Sequence, residues 1–456
     1  MENWGIILNF LLIGALMFVA KVLKTKVPLL NKIVIPSALL GGFIGLVISL
    51  VFAPIITGEE TFYNLDQLET IVYHALAIGF IALALKRDPS KIKKKIWSTG
   101  MLITSTYALQ AVIGIILFLM FFAKDNFIGS GMLVALGFGQ GPGLAMSIGN
   151  TWTDQLKGFG GDLGASYAFL GFVFGGTVGV TLINIISRKS GKVKPSSYDE
   201  DSASKVTIEV DTIKEISILD GLTTQMIILS IIYGLVYLTL YFAEIGLGAL
   251  GGVGEQIFGL LKGFNFIIGI LYALVYKNIL KAFEKRGKNV RFITNNYMLS
   301  NIASIAFNVM IAGAVLSITL EFLQDYGIQL FLTAILAGVI TMVYLRYMTK
   351  KVYPVYQDEY FIGLFGMLTG VASTGLALLK GIDPDLETPV AEEMVLGSGT
   401  AISMALPLFV ILFLPSLTLG SGRPMLWNLV SLFGCLLYIM IMVIILLVRG
   451  RRGVNV

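Results

Sequence analysis

The stretch that most constrains this chain is a loosened segment set among long apolar runs. Residues 134–150 read VALGFGQGPGLAMSIGN, with glycine at 137, 139, 141 and 143 and proline at 142. Inside a helix glycine costs about 1 kcal/mol and proline about 3 kcal/mol relative to alanine. The pattern therefore predicts non-helical backbone at membrane depth, which is tolerated only where protein or a watery cavity covers it. Residues 365–381, FGMLTGVASTGLALLKG, repeat the theme, with Gly375-Leu376-Ala377 echoing Gly143-Leu144-Ala145. Matching interruptions in the two halves of a chain point to a transporter's binding site.

The surroundings are membrane-like. Of 456 residues, 56% are hydrophobic and only 13% charged, against about a quarter charged in soluble proteins. Apolar runs near residues 4–20, 33–53, 68–85, 96–123, 163–187, 222–243, 257–276, 296–320, 328–347, 394–414 and 426–448 are each of membrane-crossing length or close to it. The net charge of +5 comes from short basic loops and gives no reason to expect nucleic acid. No basic stretch precedes the first apolar run, so no cleavable signal is expected. Cys435, the single cysteine, lies in an apolar run and reads as a packing residue.

Basic loops follow the first, third, fifth, seventh, ninth and eleventh runs. The positive-inside rule places these in the cytoplasm, the N-terminus outside and the C-terminus inside. The count closes only if each loosened stretch enters and returns on one side, the first from outside and the second from inside. The expected fold is thus an all-α polytopic membrane protein, an inverted repeat of five transmembrane helices plus a re-entrant hairpin each, with one extra C-terminal helix. Residues 1–187 form the first repeat, 188–219 a polar cytoplasmic linker, 220–418 the second repeat, and 419–456 the extra helix with a basic tail.

Ionisable groups are scarce within these runs. Glu69, Lys262, His74 and, at the end of the ninth run, Arg346 are the exceptions; Lys262 reads as snorkelling or lining a vestibule, and His74 as a satisfied polar group. Proton relays carry intramembrane acids, so the shortage speaks against proton exchange. A monovalent cation can instead be held by unwound carbonyls and neutral oxygens. The neutral polar groups are Gln140, Ser147 and Asn150 in the first stretch and Thr369, Ser373 and Thr374 in the second. Asn301, Ser304 and Asn308 share one face of a predicted helix, where a solute site and interhelical bonding are the two readings. Gln110 and Asn184 read as interhelical glue. There is no Gly-Lys-Ser/Thr, no Cys/His cluster and no catalytic triad, so neither an ATP-driven machine nor an enzyme is expected.

Three stretches, NKIVIPSALLGG, LGFGQGPGLAMSIGNTW and GMLTGVASTGLALL, resemble the bacterial sodium/glutamate symporter family over nearly the whole chain. Where that family carries a Gly-Gly-His-Gly-Thr-Gly type of motif, this chain has Gln140 and Pro142 at the histidine and threonine positions. Ser37 stands at a position that is acidic in the family. The resemblance implies a scaffold domain, a mobile core, a homodimer in the bacterial cytoplasmic membrane, and sodium-driven uptake of glutamate or a related small carboxylate.

On this reading Gly139, Gln140, Gly141, Gly143, Asn301, Ser304 and Gly375 are the candidate substrate contacts. Ser147, Asn150, Asn308, Thr369, Ser373 and Thr374 are the candidate sodium ligands. No cofactor beyond the coupling ion is expected. The alternatives are a sodium-coupled transporter of another carboxylate, a sodium/proton exchanger, and a non-transporting scaffold or sensor.

Overall fold

The computed structural model describes residues 4–27, 30, 35–58, 61–87, 94–121, 127–249 without 191–214, 252–263, 265–288, 293–383, 386, 388–417 and 424–453. Among them there is no strand, and eleven helices are long and apolar enough to cross a membrane. The protein is therefore an all-α, multi-pass membrane protein. Apolar side chains cover much of its outer surface: Phe18, Ile55, Met120, Ile328 and Phe433 are all exposed, as lipid-facing positions are.

The first half contains α1 (Gly5–Lys26), α2 (Ser37–Ile56), α3 (Leu65–Leu85) and α4 (Lys94–Phe121). Two short helices follow, α5 (Leu133–Gln140) and α6 (Pro142–Asn150), and then α7 (Gly160–Ser190). The second half contains α8 (Glu215–Gly248), α9 (Gly252–Gly263), α10 (Asn265–Lys285), α11 (Asn296–Leu316) and α12 (Leu320–Val352). A second short pair, α13 (Gln357–Leu368) and α14 (Ala372–Lys380), precedes α15 (Val390–Phe413) and α16 (Pro424–Gly453). Most of the expected polar linker, 191–214, lies outside the described residues, and its two ends are helical, in α7 and α8. Between the runs 222–243 and 257–276, α8 continues to Gly248 and α9 begins at Gly252.

Packing sorts the helices into two groups. The framework group is α1, α2, α3, α8, α9, α10 and α11, centred on the close pairing of α3 with α11. Here Gly42 lets α2 approach α11, since a β-carbon on it would stand 2.7 Å from the Ala312 carbonyl oxygen. Tyr63, in the turn between α2 and α3, donates to the Leu316 carbonyl at 2.7 Å. Burial pushes its hydroxyl up to about 12, so it stays a donor at neutral pH. The second group is α4, α7, α12 and α15 with both short pairs, and α16 packs outside it on α4.

The loosened stretches prove more helical than their composition predicts. In residues 133–150 only Gly141 leaves the helix, at φ 92° and ψ 172°. In the second stretch the break is residues 369–371. The other glycines are absorbed into helices because neighbours occupy the space a side chain would need. A β-carbon on Gly139 would run into the Tyr107 ring, one on Gly143 into the Met310 sulfur, and one on Gly137 would stand 2.7 Å from Tyr167 Cβ. Close packing thus outweighs the helix cost of about 1 kcal/mol per glycine.

Candidate functional site

Both short pairs fold back on themselves. In the second, Gly363 faces Leu379 and Gly366 faces Gly375, so α13 and α14 run antiparallel. In the first, α5 descends along α4, with Gly131 against Gly114 and Gly139 beside Gln110, while α6 returns along α7, with Ala145 against Gly164 and Gly149 against Gly160. The breaks of the two pairs meet: a β-carbon on Gly141 would stand 3.4 Å from Val371 Cγ1. Gly141 is the position that only glycine fills readily, because its dihedrals fall in a region closed to residues with a side chain.

Gln110, wholly buried on α4, fastens this junction. Its Nε2 donates to the Leu368 carbonyl at the end of α13 (2.8 Å) and to Thr341 Oγ1 on α12 (3.2 Å). Its Oε1 has no hydrogen-bond partner and lies 3.2 Å from where a β-carbon on Gly139 would sit. The fully buried Thr374 hydroxyl, in the first turn of α14, also lacks a partner. Thr369 closes the second break against α7: its hydroxyl donates to the Phe365 carbonyl (2.7 Å), and its own carbonyl lies 2.7 Å from a β-carbon built on Gly171. Gln140, partly exposed, borders a cavity of about 10 Å³ with Tyr107, Leu136 and Phe409, room for about one water.

The structure thus brings Gly139, Gln140, Gly141, Thr369 and Thr374 to one junction, with Gly143 in the first turn of α6. Gly375 is packed arm to arm against the Gly363 carbonyl. Ser147 and Asn150 point elsewhere. Ser147 donates to the Gly263 carbonyl at the end of α9 (3.0 Å), and Asn150 Nδ2 donates to Glu69 Oε2 on α3 (3.1 Å). Both tie the first pair to the framework. Asn301 and Ser304 are exposed and Asn308 half-buried. At about 100° per residue, Asn301 is half a turn away from Met310, the residue of α11 that meets Gly143. The side chain of Ser373 lies outside the described residues.

Gln110 acts as the interhelical glue expected of it, joining α4 to α12 and to the end of α13. A lone amide in an apolar run carries no mark of what it will face. The signal available was that a buried amide in hydrocarbon is costly without hydrogen-bond partners.

The fold also assembles acids that linear spacing kept apart. Asp162, in the first turn of α7, lies in electrostatic range of Glu69 and accepts from Thr319 Oγ1 (3.4 Å). Glu393, 2% exposed in the first turn of α15, accepts a short hydrogen bond from the Tyr360 hydroxyl. The expected shortage of buried acids is corrected accordingly: Glu393 falls one residue before the run starting at 394, and Asp162 one before the run starting at 163. His74 is paired, its Nδ1 lying 2.5 Å from the Tyr233 hydroxyl. No protein-family model matches this chain, and no curated protein matches it.

Proposed function

We propose that this protein is a sodium-coupled secondary transporter that imports glutamate or a related small carboxylate across the bacterial cytoplasmic membrane. One observation carries the reading: the breaks of two antiparallel helix pairs, one from each half, meet at Gly141 and Val371. The N-termini of α6 and α14 converge there. Each helix N-terminus is equivalent to roughly half a positive charge, and free N–H groups there bind carboxylates without a basic side chain. Gln110 Oε1 and Thr374 Oγ1, buried and unpartnered, are the oxygens available to a sodium ion.

On this reading the two pairs are re-entrant hairpins of an inverted repeat. Reciprocal packing supports the repeat. The third membrane-length helix of each half meets its counterpart, α3 on α11; α2 packs on α11 as α10 packs on α3; α4 packs on α15 as α7 packs on α12. Alternating access is then movement of the hairpin-bearing group against the framework. Ser147–Gly263 and Asn150–Glu69 are contacts that this movement would break. The N-terminus is outside, the C-terminus inside, and the protein works as a homodimer.

Purified protein in proteoliposomes tests this. Labelled glutamate or a related carboxylate should accumulate under an inward sodium gradient. Accumulation indifferent to sodium would remove the coupling, and no accumulation of any small carboxylate would remove the reading. Sodium/proton exchange is the second reading, favoured by the Glu69–Asp162 proximity and by buried Glu393. A sodium pulse that shifts luminal pH with no solute present would establish it instead.

A further inference from the structure

A larger cavity lies away from the junction, between the framework and the hairpin-bearing group. It has a volume of about 170 Å³ and is walled by Leu46 of α2, Leu170 of α7, Val315 of α11 and Leu330 of α12. Phe43 and Phe331 stand at its mouth, 41% and 60% exposed, on helices long and apolar enough to cross the membrane. Phe43 stacks on Phe169 across the gap, ring centroids 5.2 Å apart. Gly327 borders the cavity, and a β-carbon there would meet nothing within 4 Å. An apolar cavity of this size stays dry and takes up an apolar guest. What touches its mouth in a bilayer is hydrocarbon.

One polar atom interrupts the lining. Ser166, 3% exposed, contributes to the wall, and its Oγ has no hydrogen-bond partner. A hydroxyl buried in that way is costly until it finds an acceptor. The apolar span Gly160–Ile186 of α7 is about 40 Å long at 1.5 Å per residue, the thickness of a bilayer with its headgroups, which sets Ser166, about 9 Å from Gly160, near the base of the headgroup layer.

We propose that this cavity holds an acyl chain of a membrane glycerophospholipid, with Ser166 Oγ donating to its ester carbonyl. The chain fills the apolar space and the ester satisfies the hydroxyl, so one ligand accounts for both features. The site spans both helix groups, so a bound lipid adds contact in the arrangement seen here and is squeezed or released when the groups move. Nothing in this depends on the transported solute.

Photolabelling tests it. The full chain is reconstituted in phosphatidylglycerol vesicles containing a phosphatidylglycerol with a diazirine on its acyl chain, irradiated, digested and mapped by mass spectrometry. Label is expected on Leu170 and Leu330 at a level comparable to lipid-facing Val448. Gly327→Phe, which fills the space, should lower it at least fivefold with Val448 unchanged. Ser166→Ala, which keeps the packing, should lower it several-fold with ester-linked probe and respond no differently to an ether-linked one, whereas the unmodified protein should favour the ester. Label at Leu170 and Leu330 no higher than at buried Phe118 would overturn the proposal. So would label in both variants equal to that of the unmodified protein, or modification of the same residues by a water-soluble carbene probe.

Discussion

The side-chain amide of Gln110 on α4 donates to the backbone carbonyl of Leu368, 2.8 Å away, 258 positions along the chain. That bond ties the first half of the protein to the tip of the second short helix pair. The same amide reaches Thr341, so a single residue holds the end of α13 against both α4 and α12. Gln110→Leu should leave a buried carbonyl without its donor, at a cost of about 1–3 kcal/mol, and should abolish sodium-dependent uptake. Gln110→Glu keeps the size but loses the amide donor and should also fail. Melting curves beside proteoliposome uptake would show whether activity falls further than stability.

Gly141→Ala should be among the most damaging single-carbon additions. Its φ of 92° and ψ of 172° belong to a region that residues with a β-carbon enter at a cost of about 1–3 kcal/mol. Gly58, at φ 75° with open space around it, provides the comparison. Gly58→Ala should lower the melting temperature modestly and leave uptake intact, whereas Gly141→Ala should remove uptake.

Gly143→Val should slow transport by pressing on Met310, whose sulfur occupies the space a β-carbon would take. The obstruction is one flexible side chain, so Met310→Ala in the same protein should restore most of the rate. A double-mutant cycle on uptake rates measures this, and contacting residues of this kind commonly couple by about 0.5–3 kcal/mol.

Ser147 and Asn150 bond to the framework, to the Gly263 carbonyl and Glu69, and so should not hold sodium. Ser147→Ala and Asn150→Ala should keep the full sodium-induced rise in melting temperature while changing the uptake rate. Thr374→Val, which removes an unpartnered buried hydroxyl, should lose that rise. Loss of the rise in the first two variants instead would return them to the ion site.

Much of the architecture was legible in the linear order of residues. Eleven apolar runs became eleven candidate spans, because burying or lipid-facing a whole helix demands apolar residues all round. The two interruptions were placed correctly: the first is marked by proline at 142 beside positive-φ Gly141, the second by Gly370 within residues 369–371. How little of each stretch would unwind was not legible. Gly137, Gly139 and Gly143 weaken a helix locally, and only the approach of Tyr167, Tyr107 and Met310 repays that loss. Ser147, Asn301 and Gln110 look alike as polar residues in apolar runs. The first turned to the framework, the second to the outer surface, and the third to the junction.

The sequence by itself determined that this is a many-helix membrane protein with two weak points, because hydropathy and helix propensity are properties of short windows. Only the tertiary structure decided that those weak points touch, that Gln110 secures them, and that Glu69 and Asp162 stand near each other. Those are contacts between residues far apart in the chain, and they depend on packing that no local window contains.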